Sequence, residues 1–173
     1  MAVKLDTHRL ISLIPIMPYH KVADIGVGTS GLTPTLAKYL FDGKVFAVDT
    51  NDERLKPSRD YVEKIKLRNV QHLVYKPGDK LSLDDASLDG AVMVLSLGKS
   101  SDPDALLEET KRVLKKGGWL VILGQRRASN VNGAEAEQFV SEDDAISKAR
   151  SAGYRVREQK AFSDTYYMLM LRK

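Results

Sequence analysis

The sequence predicts an α/β domain: one mostly parallel sheet of seven strands, helices on both faces, and an antiparallel strand at the C-terminal end. Three observations predict it. Short apolar runs alternate with stretches of helical period from one end of the chain to the other, the pattern of strands joined by crossover helices. A glycine-rich turn, Gly26-Val27-Gly28-Thr29-Ser30-Gly31, falls between the first apolar run and a helical stretch. The last run, Tyr166-Tyr167-Met168-Leu169-Met170-Leu171, is apolar without alternation, as a strand buried on both faces is.

Taken in order, residues 7–14 form a short helix with Leu10, Ile11, Leu13 and Ile14 on one side, stopped by Pro15 and Pro18. Residues 21–25 are the first strand. After the glycine-rich turn a helix carries Leu32, Leu36 and Leu40 on one face and tolerates Pro34 in its first turn. The second strand is 44–48. Residues 51–66 are helical in their second half, with a break or restart expected at Pro57, where a continuous helix loses a hydrogen bond. The third strand is 70–76, followed by the turn residues Pro77-Gly78-Asp79 and a polar loop. The fourth strand is 88–95, Pro103 opens a helix running to 114, and Lys116-Gly117-Gly118 ends it before a fifth strand at 119–123.

Residues 126–140 read as a polar loop able to cover a site. Ser141, with Asp144 three residues on, opens a last helix that Gly153 closes. The strands 155–161 and 165–171 are joined by about three residues, too few for a parallel crossover, so they run antiparallel.

The 173 residues fit one domain, 1–173, with a short helical segment over 1–20. Hydrophobic residues at 43% and charged residues at 29% give a globular balance. The absence of cysteine removes disulfides, thiolate metal sites and a cysteine nucleophile. No window approaches a membrane span and no apolar signal-peptide core opens the chain, so a cytoplasmic protein without membrane contact is expected. The net charge of +4 is small and its cations are scattered. With no aromatic residues interleaved in a basic stripe, nucleic acid is disfavoured as a partner.

The glycine-rich turn alone matches the dinucleotide fingerprint Gly-x-Gly-x-x-Gly, a weak signal for any one ligand. Asp49 ends the second strand twenty-one positions beyond Gly28, where a carboxylate grips both hydroxyls of a ribose. Asp24, two residues before Gly26, separates the candidates. A unit negative charge roughly 5 Å from a phosphate, at an effective dielectric of about 20, costs about 3 kcal/mol, whereas it attracts an ammonium or sulfonium.

On these residues the chain resembles the class I S-adenosylmethionine-dependent methyltransferases. Val22-Ala23-Asp24-Ile25-Gly26-Val27-Gly28-Thr29 is similar to their first motif, and Asp49, followed by Thr50, matches the acidic position after their second strand. Gly78-Asp79 resembles the third motif, whose acid accepts from the adenine amino group while the backbone at Lys80 lies against the ring. Ser87-Leu88-Asp89-Gly90, Arg112-Val113-Leu114-Lys115-Lys116-Gly117-Gly118 and Ala152-Gly153-Tyr154 match the start of strand four, the approach to strand five and the turn before strand six. Together they cover residues 22–171. Ser30 stands where the family has a third glycine, with Gly31 next to it, and Pro57 is a second departure.

The resemblance implies a Rossmann-like fold, S-adenosylmethionine as cofactor, and in-line transfer of a methyl group from a sulfonium. The implied cofactor-binding residues are Asp24, Gly26, Gly28, Asp49, Thr50, Asp79, Lys80 and Ser96. Positioning supplies most of the acceleration in such a transfer, so no catalytic base is assigned. The alternatives are an NAD(P)-binding oxidoreductase, for which no Tyr-x-x-x-Lys is present, and a non-catalytic S-adenosylmethionine-binding protein.

Several further residues are weighed against plain structural roles. His20 and His72 fall at the strand ends away from the crevice, whereas His8 lies on a helix that in the family leans over the acceptor. Lys99 is expected to face solvent. Gln125, Arg126 and Arg127 follow strand five, where two cations suit an anionic acceptor but also suit a bare surface. Trp119 is expected in the core, and the acidic pairs Asp102/Asp104 and Asp143/Asp144 at helix starts. Strand four ends in Leu95-Ser96-Leu97-Gly98, unlike the Asn/Asp-Pro-Pro-Tyr of amino-group methylation on bases and glutamine. A small-molecule acceptor is therefore expected. A partner-delivered acceptor and a lid from a second subunit, as in a homo-oligomer, stay open.

Overall fold

The computed structural model describes residues 5–29, 31–126 and 139–173. Its elements are α1 (Thr7–Leu13), β1 (Lys21–Ile25), a 3-10 turn (Val27–Thr29), α2 (Leu32–Tyr39), β2 (Lys44–Asp49), α3 (Asp52–Lys64) and β3 (Val70–Val74). They continue with β4 (Leu88–Val94), α4 (Ser96–Lys99), α5 (Pro103–Val113), β5 (Leu114–Gln125), α6 (Glu142–Ser151), β6 (Arg155–Ala161) and β7 (Tyr166–Arg172). The seven strands form one sheet in the order β3-β2-β1-β4-β5-β7-β6. Neighbours from β3 through β5 are parallel, and β7 is antiparallel to both β5 and β6, so β7 alone runs against the other six.

Strand order reverses between β1 and β4. The chain winds outward from β1 to β3 and then returns to the other side of β1, so the connections leaving β1 and β4 part and open a crevice at the C-terminal strand ends. Two apolar layers hold the sheet. Ala23, Ile25, Ala91, Met93, Leu120 and Ile122 face one way, against Leu106, Leu107 and Val113 of α5 and Ala145 and Ala149 of α6. Val22, Val92, Val94, Val121 and Leu123 face the other way, against Leu10 and Ile11 of α1 and Leu32, Leu36 and Ala37 of α2. Trp119 is 1% exposed and lies across Gly90, where any Cβ would fall 2.1 Å from its ring.

The expected break at Pro57 is corrected, because α3 runs unbroken through it. Asn51 caps the helix by accepting from the Glu53 amide at 2.9 Å, and Arg59 reaches back across the proline to Asp52 at 2.6 Å. With Leu55 fully buried on the inner side, the helix tolerates the one ladder bond that Pro57 cannot donate. β3 ends at Val74 rather than 76, since its partner β2 runs out at Asp49. β5 begins at Leu114, earlier than expected, because Leu114 already pairs with Leu88 before the ladder shifts register and resumes at Gly90 and Trp119. Of the polar loop 126–140, residues 127–138 lie outside the described residues, as does Ser30. Gly31 is the residue before α2 and takes the left-handed conformation there, φ 61°.

Candidate functional site

The floor of the crevice is where the turns after β1 and β4 meet. Gly26, with φ +86°, donates its amide to the Val48 carbonyl at 2.8 Å. A Cβ on it would stand 2.5 Å from the Cβ of Ser96, so only glycine brings the first turn this close to the fourth strand's exit. Leu95, left-handed at φ 58°, turns the chain there into the single helical turn of α4, which the sequence did not indicate. The Ser96 hydroxyl oxygen is buried without a hydrogen-bond partner.

Two carboxylates end the neighbouring strands β1 and β2. Asp24 is fully buried and stands behind the crevice lining rather than in it. One oxygen accepts from the Thr33 hydroxyl at 2.6 Å, and the other has no partner. Burial pushes its pKa up to about 6, the Asp49 charge adds to that, and the Thr33 bond opposes it. Asp49, 4% exposed, is dressed by main-chain donors. Gly28 donates to one oxygen at 3.2 Å, and Thr50 and Asn51 to the other at 2.8 and 3.4 Å. Each carboxylate oxygen accepts more than one bond, so capacity remains for ligand hydroxyls.

Asp49, Thr50, Gly26 and Ser96 line one cavity of about 200 Å³. Asp79 and Lys80, both exposed, line an adjoining cavity of about 270 Å³ that shares Tyr75, Pro77 and Leu106 with the first. The predicted site residues thus divide: Gly26, Asp49, Thr50 and Ser96 in the inner cavity, Asp79 and Lys80 in the outer one, Gly28 tied to Asp49 through its amide, and Asp24 behind them.

Sequence reasoning missed Arg54 and Tyr75. Arg54 lies over Gly28, with its guanidinium 3.9 Å from Asp49. Its signal was present in the spacing, since a residue in the first turn after the Asn51 cap folds back over the preceding strand end. Tyr75 follows β3 directly, and burial together with the Asp49 charge pushes its phenol up. Placing it inside an over-long third strand hid it. Lys99 is exposed as expected but also lines the inner cavity, where burial and Arg54 pull its pKa down against the pull of Asp49.

His8 stands beside Tyr39 at the C-terminal end of α2, with ring centroids 6.2 Å apart. His20 and His72 hold local contacts, accepting from the Met17 amide at 3.2 Å and meeting the Ser58 hydroxyl at 3.1 Å. Arg126 is paired with Glu142 at 3.3 Å, and Arg127 lies outside the described residues.

Asp49 perturbs Asp24 behind it, and the cations Arg54 and Lys99 line the same cavity as Asp49. A glycine turn in contact with Ser96, a buried carboxylate at the end of β2 with acceptor capacity left, and a buried acid with one oxygen orphaned are features that a nucleoside with a cationic tail would fit. The residues present therefore fit S-adenosylmethionine.

Residues 23–122 match the family model described as methyltransferase domain, and the chain belongs to that family. Over 141 residues it is 30% identical to the ubiquinone/menaquinone biosynthesis C-methyltransferase of Hydrogenovibrio crunogenus, covering 78% of this chain and 55% of that one. It is 31% identical over 103 residues to the phosphatidylethanolamine N-methyltransferase of Cereibacter sphaeroides, covering 60% of this chain and 49% of that protein. The chain spans about half the length of these curated relatives. Among solved structures it is similar to a SAM-dependent methyltransferase from Aquifex aeolicus, with a TM-score of 0.87, 27% identity, and coverage of 96% of this chain and 89% of that one.

Proposed function

We propose that this chain is an S-adenosylmethionine-dependent methyltransferase acting on a small-molecule acceptor. The observation that carries the reading is the fully buried carboxylate of Asp24 near the end of β1, two residues before Gly26, with one of its oxygens left without a partner. In this reading Asp24 acts on the ammonium and sulfonium through its field rather than by contact. Asp49 holds the ribose hydroxyls, Gly26 and Gly28 let the ligand approach the backbone, and Ser96 meets the methionine end. Asp79 accepts from the adenine amino group, with the main chain at Lys80 against the ring and Thr50 beside the ribose.

When bound, S-adenosylmethionine supplies a methyl group on a cationic sulfur. The chain's own task is to hold that group in line with the acceptor, and positioning of this kind is worth up to about 7 to 11 kcal/mol in favourable cases. The relatives' names point to a quinone and to a phospholipid amine. Both are small molecules, and they support the acceptor class without fixing the acceptor atom. Among the described residues no helix is long and apolar enough to cross a membrane.

Incubation with methyl-labelled donor and a panel of hydroquinones, amines, phosphatidylethanolamine, total RNA and duplex DNA tests the reading. Label should enter a small molecule, and Asp49→Ala should sharply lower that transfer at limiting donor. Label confined to nucleic acid, with binding that falls steeply as salt rises, would refute the small-acceptor reading.

A further inference from the structure

The segment that presents Asp79 and Lys80 has no strand or helix of its own, and both residues are exposed. A recognition group on such a segment is only as well placed as whatever holds its backbone. The Asp79 amide donates to the Lys76 carbonyl at 3.0 Å and the Leu81 side chain is buried in the core, and the side-chain bonds to this main chain come from one pair on α5. The Glu109 carboxylate accepts from the Leu81 amide at 2.6 Å. It also takes both arms of Arg112, Nε at 2.9 Å and Nη2 at 2.6 Å. Arg112 Nη2 donates further to the carbonyls of Leu81 at 3.1 Å and Leu83 at 3.0 Å, and Nη1 binds the Asp85 carboxylate.

A carboxylate and a guanidinium so placed satisfy both the donor and the acceptors of a main chain that no sheet satisfies. Their side chains are only 14% and 19% exposed, so the contacts are little screened by solvent. Both line the same cavity as Asp79 and Lys80.

We propose that Glu109 and Arg112 are positioning residues for base recognition: by fixing the main chain from Leu81 to Leu83 they hold Asp79 at the distance that selects a 6-aminopurine. The inference rests on the reading of Asp79 as the residue that meets the adenine. A pair that served stability alone would change the melting temperature and affinity for every nucleoside alike. A pair that positions Asp79 changes the discrimination between bases.

The test is calorimetric affinity for S-adenosylhomocysteine and S-inosylhomocysteine, whose 6-amino group is replaced by oxygen, measured well below the melting temperature. The wild-type chain should prefer the adenosyl ligand by about tenfold or more, the scale of one charge-assisted hydrogen bond. Arg112→Gln and Glu109→Gln should bring the ratio to within about threefold while leaving the inosyl affinity near wild type. Arg112→Lys, which keeps the charge but not the fork, should restore it only in part. Ratios unchanged in both glutamine variants would overturn the proposal, and if Arg112→Gln does not fold, Glu109→Gln decides it. Asp79→Asn separates the two levels. If it flattens the ratio while the pair variants do not, only this inference fails, and if it leaves the ratio intact, the adenine assignment fails and the inference with it.

Discussion

The ends of β1 and β2 each carry a buried carboxylate, and the two are dressed differently. Asp49 takes three main-chain donors from the turn that follows it and from Gly28. Among the described residues Asp24 is met by Thr33 alone and keeps one oxygen orphaned. Burial costs a charge its hydration, and donors restore what water supplied. At Asp49 they do so, leaving a carboxylate ready to bind hydroxyls. At Asp24 they do not, leaving a group whose ionised form is stabilised when a cation arrives. On the proposed reading, one strand end works by contact and its neighbour by field.

Removing the contact should have the largest effect. Asp49→Ala should weaken binding of donor and product by about 1.5 to 3 kcal/mol for each charged hydrogen bond lost. Asp52→Ala, three residues on and exposed, should leave binding unchanged, and equal effects in calorimetry would mean that the strand end is misplaced.

The field at Asp24 should show in the pH dependence of stability. Its folded pKa of about 6 lies above the ordinary value of 3.8, so between those values the native state binds more protons than the unfolded chain. Stability contributed by this group is therefore present below pH 3.8 and falls as pH rises towards 6, by on the order of 3 kcal/mol in all. Asp24→Asn should remove that slope in urea titrations across this window, and an identical slope in the variant would show that Asp24 ionises normally.

A smaller effect is expected where the two turns touch. Gly26→Ala should destabilise by about 1 to 3 kcal/mol from left-handed strain. Adding Ser96→Gly should recover the part due to the clash, and no recovery would mean that the approach of the two turns is looser than described. Least of all, His8→Ala, which loses a ring contact with Tyr39 and does not line the cavity of Asp49 and Ser96, should leave methyl transfer at the wild-type rate in the labelled-donor assay.

The strands and the β1 turn were legible because apolar runs, glycines and acidic residues at fixed spacing are local signals. The path of α3 through Pro57 was not: the Asn51 cap and the Arg59 to Asp52 bridge lie in the same stretch, but the burial of Leu55 that helps outweigh one lost bond depends on packing against other elements. Tyr75 was hidden by a strand boundary that depends on where β2 ends. The loop carrying Asp79 was legible only as a motif, and its support from α5, about thirty residues on, leaves no mark in local sequence. That Asp24 lies behind the crevice rather than in it is likewise a result of packing against α2.

On the proposed reading the crevice takes a nucleoside with a cationic tail and turns away a pyrophosphate. Calorimetry of the wild-type chain with S-adenosylmethionine, S-adenosylhomocysteine and NAD tests it most directly. Binding of the first two at micromolar levels with none for NAD is the predicted result, and tight binding of NAD with none for the methyl donor would contradict it.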